Sequence, residues 1–302
     1  MLLQQIINGL ALGAVYALIA LGYTMVYGIL EMINFAHGEI YMIGSYLGII
    51  LLGLFISLLG PSATVLHLPL ILVVVTLGAA VICAGYGVTM ERIAYRPLRS
   101  AHRLAPLISA LGVSIFLQNY VMLTQGSADR VAPHLFEGES YAIGSVMITP
   151  IQIAIMITST ILMAGLHLFI QKTRMGKAMR AVAQDQTMAS LCGIPINRVI
   201  SVTFIMSAAL AAVAGVMVSL YYGVTHFFIG YVAGIKAFTA AVLGGIGHLP
   251  GAMVGGLLLG LLESLGAAYI SSEFKDGFAF LVLILILIFR PTGLFGERVA
   301  AR

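Results

Sequence analysis

The chain alternates long apolar blocks with short polar interruptions. Nine stretches stand out: Ile6–Tyr27, Ile40–Leu59, Leu68–Thr89, Ala105–Leu123, Ile151–Ile170, Val199–Tyr222, Val232–Ile246, Ala252–Ile270 and Phe278–Phe289. About 20 apolar helical residues cover the ~30 Å hydrocarbon core of a bilayer. The seventh and ninth stretches are short, so they read as tilted, broken or re-entrant, and the pattern predicts eight or nine crossings. The expected fold class is an all-α polytopic integral membrane protein, with one transmembrane domain over residues 1–302.

Two polar interruptions carry the information. Ile33-Asn34-Phe35-Ala36-His37-Gly38-Glu39-Ile40 puts an amide, an imidazole and a carboxylate between two apolar blocks. Polar groups at such a place are costly and mark function, unless the stretch is a plain turn at the membrane surface. The second is Gly244-Gly245-Ile246-Gly247-His248-Leu249-Pro250-Gly251. Each is followed by apolar segments and then Arg-Pro, at Arg96-Pro97 and Arg290-Pro291. Hairpins 6–99 and 232–293 are therefore candidate internal repeats, and interrupted helices in repeated positions point to a translocation pathway.

Lys172–Arg198 is the longest polar stretch between spans. Good helix formers predict a helix from about Gly176 to Leu191, ended by Cys192-Gly193-Ile194-Pro195 with Gly as C-cap. Met175, Met179 and Val182 form its apolar face, and Met188 and Leu191 extend a neighbouring stripe. Such a helix is either an interfacial connector or a docking surface for a soluble partner.

Charge then sets the orientation. Arg92, Arg96, Arg99 and Arg103, then Lys172, Arg174, Lys177, Arg180 and Arg198, then Arg290, Arg298 and Arg302 make up twelve of the fifteen basic residues. Basic loops face the cytoplasm. The loop from Thr124 to Thr149 sets Arg130 against Asp129, Glu137 and Glu139 and lies outside. Counting back from Arg92 puts the N-terminus outside, provided the first block spans fully. Hydrophobic residues make up 61% and charged residues 9%, against roughly 25% charged in soluble domains. The net charge of +4 belongs to these loops and not to a nucleic-acid surface. Cys83 and Cys192 have no metal or redox neighbours and read as packing residues. The first block lacks the basic region and cleavage site of a signal peptide. The 34 glycines suit helices that approach closely.

Enzyme chemistry finds little support. There is no phosphate-binding Gly-x-x-x-x-Gly-Lys-Ser/Thr loop and no His-Glu-x-x-His zinc motif. Ser45, Ser109 and Ser114 read as bonded to helix backbone or a neighbouring helix. Glu263, inside a leucine-rich stretch, must face protein or water, as a partner for a neighbouring helix or as a substrate contact. Lys236 reads as an interfacial anchor that snorkels. The outer loop is too short for a ligand-binding domain of ~50 residues or more, so capture of a scarce solute falls to another protein.

The motifs together resemble a known family. Asn34-Phe35-Ala36-His37-Gly38-Glu39 with Tyr41-Met42 and Gly44 looks like the first signature of the branched-chain amino acid ABC permeases of the LivH/LivM type, with LivH nearer. Ala94–Arg99, Gly176–Ala183, Lys236–Gly247 with Pro250-Gly251-Ala252, Lys275-Asp276 and Arg290–Gly296 are similar to further stretches of that family, in order. His248 departs from it, where a Ser is expected, and Cys192 stands where Leu is commoner. The resemblance implies a permease subunit that carries leucine, isoleucine or valine across the inner membrane and binds no cofactor itself. It implies a LivM-like second permease, two LivG/LivF-like ATPases that hydrolyse ATP, and a periplasmic solute-binding protein. Asn34, His37, Gly38, Glu39, Gly244, Gly245 and Gly247 become candidates to line or gate the pathway. Gly176, Lys177, Arg180, Asp185, Gly193 and Pro195 become candidates for coupling to the ATPases. Urea, amides or other amino acids stay open as solutes, and a self-sufficient secondary transporter or a channel subunit stays open as a class.

Overall fold

The computed structural model describes residues 1–60, 67–99, 101–102, 104–133, 141–143 and 146–296. Arg103, Glu137, Glu139, Arg298 and Arg302 of the charge pattern lie outside the described residues. Eleven α-helices follow one another among the described residues. They are α1 Leu2–Leu30, α2 His37–Leu59, α3 Leu68–Met90, α4 Leu104–Gln125, α5 Pro150–Lys172, α6 Arg174–Gln184, α7 Gln186–Leu191, α8 Ile196–Tyr222, α9 Ile229–Gly244, α10 Leu249–Tyr269 and α11 Lys275–Phe289. A π-helical turn, Glu91–Tyr95, and a 3₁₀ turn, Arg96–Leu98, extend α3. The described residues of the loops hold four short strands: β1 Arg130–Val131 pairs antiparallel with β4 Val224–Thr225, and β2 Tyr141–Ile143 with β3 Val146–Ile148.

The molecule is thus all-α and polytopic, as the apolar blocks predict. Among the described residues, seven helices are long and apolar enough to cross a membrane: α1, α2, α3 with its extension, α4, α5, α8 and α10. Helix α9 is a shorter apolar helix of 16 residues, and α11 has 15. At 1.5 Å per residue these reach only about 24 and 22 Å.

The chain forms two compact units, Met1–Ile33 with Ser140–Thr203 and Ile235–Arg302, and Asn34–Glu139 with Phe204–Gly234. In the first unit α1 packs antiparallel on α10 through small residues. A Cβ on Gly9 would lie 2.9 Å from Leu261 Cα, and one on Gly13 2.8 Å from Leu257 Cα. In lipid, van der Waals packing replaces the hydrophobic effect as the force between helices, so backbones must meet closely. Helix α1 is tied into this unit at both ends. At its start the Gln4 amide donates to Met147 O and accepts from Met147 N. At its end Ile29 O accepts from Gln186 Nε2, inside the Lys172–Arg198 segment. With 29 residues, α1 is long and apolar enough to cross a membrane.

In the second unit α2 packs on α8, where a Cβ on Gly44 would lie 2.6 Å from Ala212 Cα. Leu52, Ile71, Val75, Ala79 and Val216 form a buried apolar cluster beside this contact. Ser45 and Ser109 bond to the carbonyls of Met42 and Ala94, as expected of serines in apolar helices.

Two expectations need correction. The helix predicted over Gly176–Leu191 is two helices, broken at Asp185. Asp185 is extended, and its carboxylate accepts from Met188 N at 2.9 Å, capping α7. A short acidic side chain competes with helix continuation and favours the N-cap, which outweighs the helix formers around it. Cys83 is buried, but Cys192 is exposed and fills no core.

Candidate functional site

The polar side chains of the Asn34–Glu39 interruption are buried, so it is not a solvent-exposed turn. Asn34, His37 and Glu39 are 3%, 1% and 1% exposed. The Asn34 Oδ1 accepts from Ala36 N at 3.1 Å, shaping the turn into α2, and from the Tyr95 hydroxyl at 2.6 Å. His37 Nδ1 meets Ser207 Oγ at 3.2 Å. Glu39 Oε1 accepts from Ser114 Oγ at 3.0 Å. Its Oε2 has no hydrogen-bond partner among the described residues and lies against Gly230. That places the carboxylate at the first turn of α9, where unsatisfied N–H groups and the helix dipole favour an anion. Gly38 meets the backbone of Gly230 and Gly234 with no room for a Cβ.

The Ala94–Arg99 motif lies in the same unit. Buried Glu91 is paired with Arg96 at 3.0 Å and with Arg99. This bidentate pairing fixes the π-helical turn that carries Tyr95, and so the donor to Asn34. A π-turn often marks a functional site.

The second interruption is the turn between α9 and α10. Gly244 abuts the Gly251 carbonyl, and a Cβ on Gly244 would overlap it. Gly245 and Gly247 have φ of +103° and +92°, the left-handed region that glycine enters without steric cost. The last described residues close over this turn. Leu294 N donates to Leu243 O at 2.9 Å and Phe295 N to Gly244 O at 3.1 Å. Two carbonyls at the end of α9 thus receive donors from the Arg290–Gly296 motif, which otherwise reads only as a tail.

The Lys172–Arg198 segment is anchored locally. Thr173 caps α6 by accepting from Gly176 N at 3.0 Å, and Gly176 abuts Ile170 with no room for a Cβ. Met179 and Val182 are buried, as their spacing predicts, whereas Met188 and Leu191 are 60% and 76% exposed. Lys177, Arg180 and Asp185 are exposed. Gly193, at φ +78°, closes α7, with Ile194 N donating to Ala189 O in a 6→1 bond. Pro195 then opens α8, its carbonyl accepting from Arg198 N and Val199 N. Beside Arg180 a groove runs between α1, α5, α6 and the turn at Gly247–Leu249.

A fourth polar cluster was only half legible in sequence. Lys236 is 5% exposed and does not snorkel. Its Nζ lies 2.7 Å from Glu263 Oε1, 2.5 Å from Asp276 Oδ1 and 3.3 Å from the Tyr16 hydroxyl. Tyr16 in turn donates to Glu263 Oε2 at 2.9 Å. Glu263 is therefore the partner of neighbouring helices. One cation and one anion inside apolar blocks were the available signal for this pairing; Tyr16 gave none.

With this geometry in hand, comparison with known proteins identifies the family. The model of the branched-chain amino acid transport system / permease component family matches residues 5–287. The chain belongs to this family. It is 52% identical over 300 residues to the high-affinity branched-chain amino acid transport system permease protein LivH of Salmonella typhimurium, covering 98% of this chain and 96% of that protein. The figures for LivH of Escherichia coli K12 are the same. The BraD permease protein of Pseudomonas aeruginosa is 51% identical over 299 residues, again covering 98% and 96%.

The permease is a multi-pass membrane transport protein and not an enzyme, in line with the serines bonded to backbone or neighbouring helices. One departure from the family pattern now has a physical account. His248 is the N-cap of α10, its Nδ1 accepting from Gly251 N at 3.0 Å, and its ring stacks on Phe295 with centroids 6.1 Å apart. A Ser hydroxyl would accept the same bond. His248→Ala should therefore lower permease stability by about 1 kcal/mol, and His248→Ser should restore most of it. Thermal unfolding in detergent reads both; a stable His248→Ala variant would rule out the cap.

Proposed function

We propose that this permease is the transmembrane subunit of an ABC importer carrying leucine, isoleucine and valine across the bacterial inner membrane. The observation that carries the reading is 52% identity over 98% of the chain to LivH. In this reading a LivM-like permease pairs with it, two cytoplasmic ATPases supply energy and a periplasmic binding protein delivers the solute. Asn34, His37, Gly38 and Glu39, and the turn at Gly244, Gly245 and Gly247, form gate elements of the pathway. The buried polar bonds of the first interruption and the glycine contacts of the second support discrete packings that a gate needs. The segment with Gly176, Lys177, Arg180, Asp185, Gly193 and Pro195 moves with the ATPases as a lever. Its exposed charges and exposed Met188 and Leu191 support that role.

The test is uptake by proteoliposomes holding the complete transporter. Leucine, isoleucine and valine should enter in an ATP-dependent way, and urea should not. His37→Ala should reduce uptake about tenfold, the order of one lost buried hydrogen bond to a charged or polar partner. Its complex should still co-purify. Uptake of urea in place of leucine would overturn the substrate, and wild-type uptake by His37→Ala would remove the first interruption from the gate.

A further inference from the structure

We propose that the groove between α1 and α6 is a cytoplasmic binding site for the imported amino acid, through which product inhibits transport; this rests on the substrate reading above. The groove has a cavity volume of about 90 Å³, below the ~300–1,000 Å³ of pockets for drug-sized ligands, so only a compact solute fits it. Its walls are mostly apolar side chains, including Met25, Ile29, Met179 and Leu249. They suit a branched aliphatic body.

Polar groups suited to a zwitterion stand at two places. Arg180, the cation among the lining residues, is exposed, and its Nη1 donates to Gln171 Oε1 at 2.7 Å. A guanidinium has further N–H groups for a carboxylate. Thr24 lines the groove, is 1% exposed, and its Oγ1 has no hydrogen-bond partner among the described residues. A buried hydroxyl in that state calls for a partner from the ligand. Gly28 and Ile29, in the last turn of α1, also line the groove, and Thr24 stands one turn before them. The negative pole of a helix favours an ammonium group there. Carboxylate toward Arg180 and ammonium toward Thr24 and the end of α1 give one orientation for an α-amino acid.

The location supplies the consequence. One wall is α6, in the segment read as the lever, and another is the Gly247–Leu249 turn. A ligand wedged between them holds α6 against α1 and opposes any movement that separates the two.

Proteoliposomes with ATPases and ATP on the luminal side, preloaded with increasing leucine, test this. Initial uptake of labelled leucine from its binding protein should fall as luminal leucine rises. Ala183→Phe, which fills the groove from an exposed position, should raise the half-inhibitory concentration about tenfold, with inhibition expressed relative to the variant's own uptake into leucine-free vesicles because the ring also touches the lever. Isocaproate, without the ammonium, and leucinol, without the carboxylate, should inhibit far less. Uptake insensitive to luminal leucine, equal inhibition of Ala183→Phe, or equal potency of isocaproate each overturns the site while the substrate reading stands. Absence of leucine uptake into unloaded vesicles overturns both.

Discussion

Gly260→Leu should leave almost no folded permease. Gly9 and Gly13 on α1, and Gly256 and Gly260 on α10, are each four residues apart, so each pair lines one helix face. A Cβ on Gly260 would overlap the backbone of Gly13, and one on Gly256 would overlap that of Ala17. An overpacked core usually costs ~1–3 kcal/mol because side chains can shift. Here the obstruction is backbone, which has no rotamer to change, so the helices must separate along their length. Dispersion between them falls steeply with a gap of even 0.5–1 Å. Total stabilities of ~5–15 kcal/mol leave little margin for that loss. The matched control is Gly112→Leu on α4, whose Cβ position has nothing within 4 Å. Size-exclusion profiles of detergent extracts should show a normal peak for Gly112→Leu and aggregate or nothing for Gly260→Leu. A monodisperse Gly260→Leu variant with normal thermal unfolding would refute the close packing.

The contrast between these two glycines marks what the sequence could convey. Block length reveals the spans because a bilayer imposes it, and the observed long helices coincide with the apolar blocks apart from a few end residues. At α2 the apolar pattern suggests a start at Ile40, but the helix begins at His37. His37 and Glu39 are buried by Ser207 and Ser114 from other helices, and periodicity carries no such information. The polar character of Asn34–Glu39 was legible; its burial was not, because it depends on Tyr95, 61 positions away. The spacing of Gly9 and Gly13 was legible too, but their pairing with α10 is a property of the fold. Asp185 shows the opposite failure: a purely local cap was hidden among good helix formers. Lys236 failed for the reason Asn34 did. A lone lysine near the end of an apolar block reads as snorkelling until its partners on three other helices are known.

Those partners make Lys236→Met the second large effect. Lys236 Nζ joins Glu263, Asp276 and Tyr16, and the Lys236 and Glu263 side chains are 6% and 4% exposed. Methionine replaces the aliphatic stem and removes the ammonium. Glu263 then keeps one donor, the Tyr16 hydroxyl, and loses its counter-charge in a place that water does not reach. Removing one partner of a buried ion pair costs ~3–5 kcal/mol, mostly the desolvated charge left behind. Asp276 suffers less, since its side chain is 45% exposed and its carboxylate keeps access to water, although the Oδ1 that faces Lys236 is itself buried. The loss should therefore be reversed from the Glu263 side. In Lys236→Met/Glu263→Gln no buried charge remains on α10, and the glutamine carbonyl still accepts from Tyr16. The double variant should recover most of the stability lost by Lys236→Met, a coupling well beyond the ~0.3–0.5 kcal/mol error of additivity. Lys236→Met/Asp276→Asn should recover little, because it leaves Glu263 charged. Unfolding of the four proteins in one detergent measures both couplings. Recovery through Asp276 in place of Glu263 would mean that the half-exposed carboxylate, and not the buried one, is the partner Lys236 neutralises.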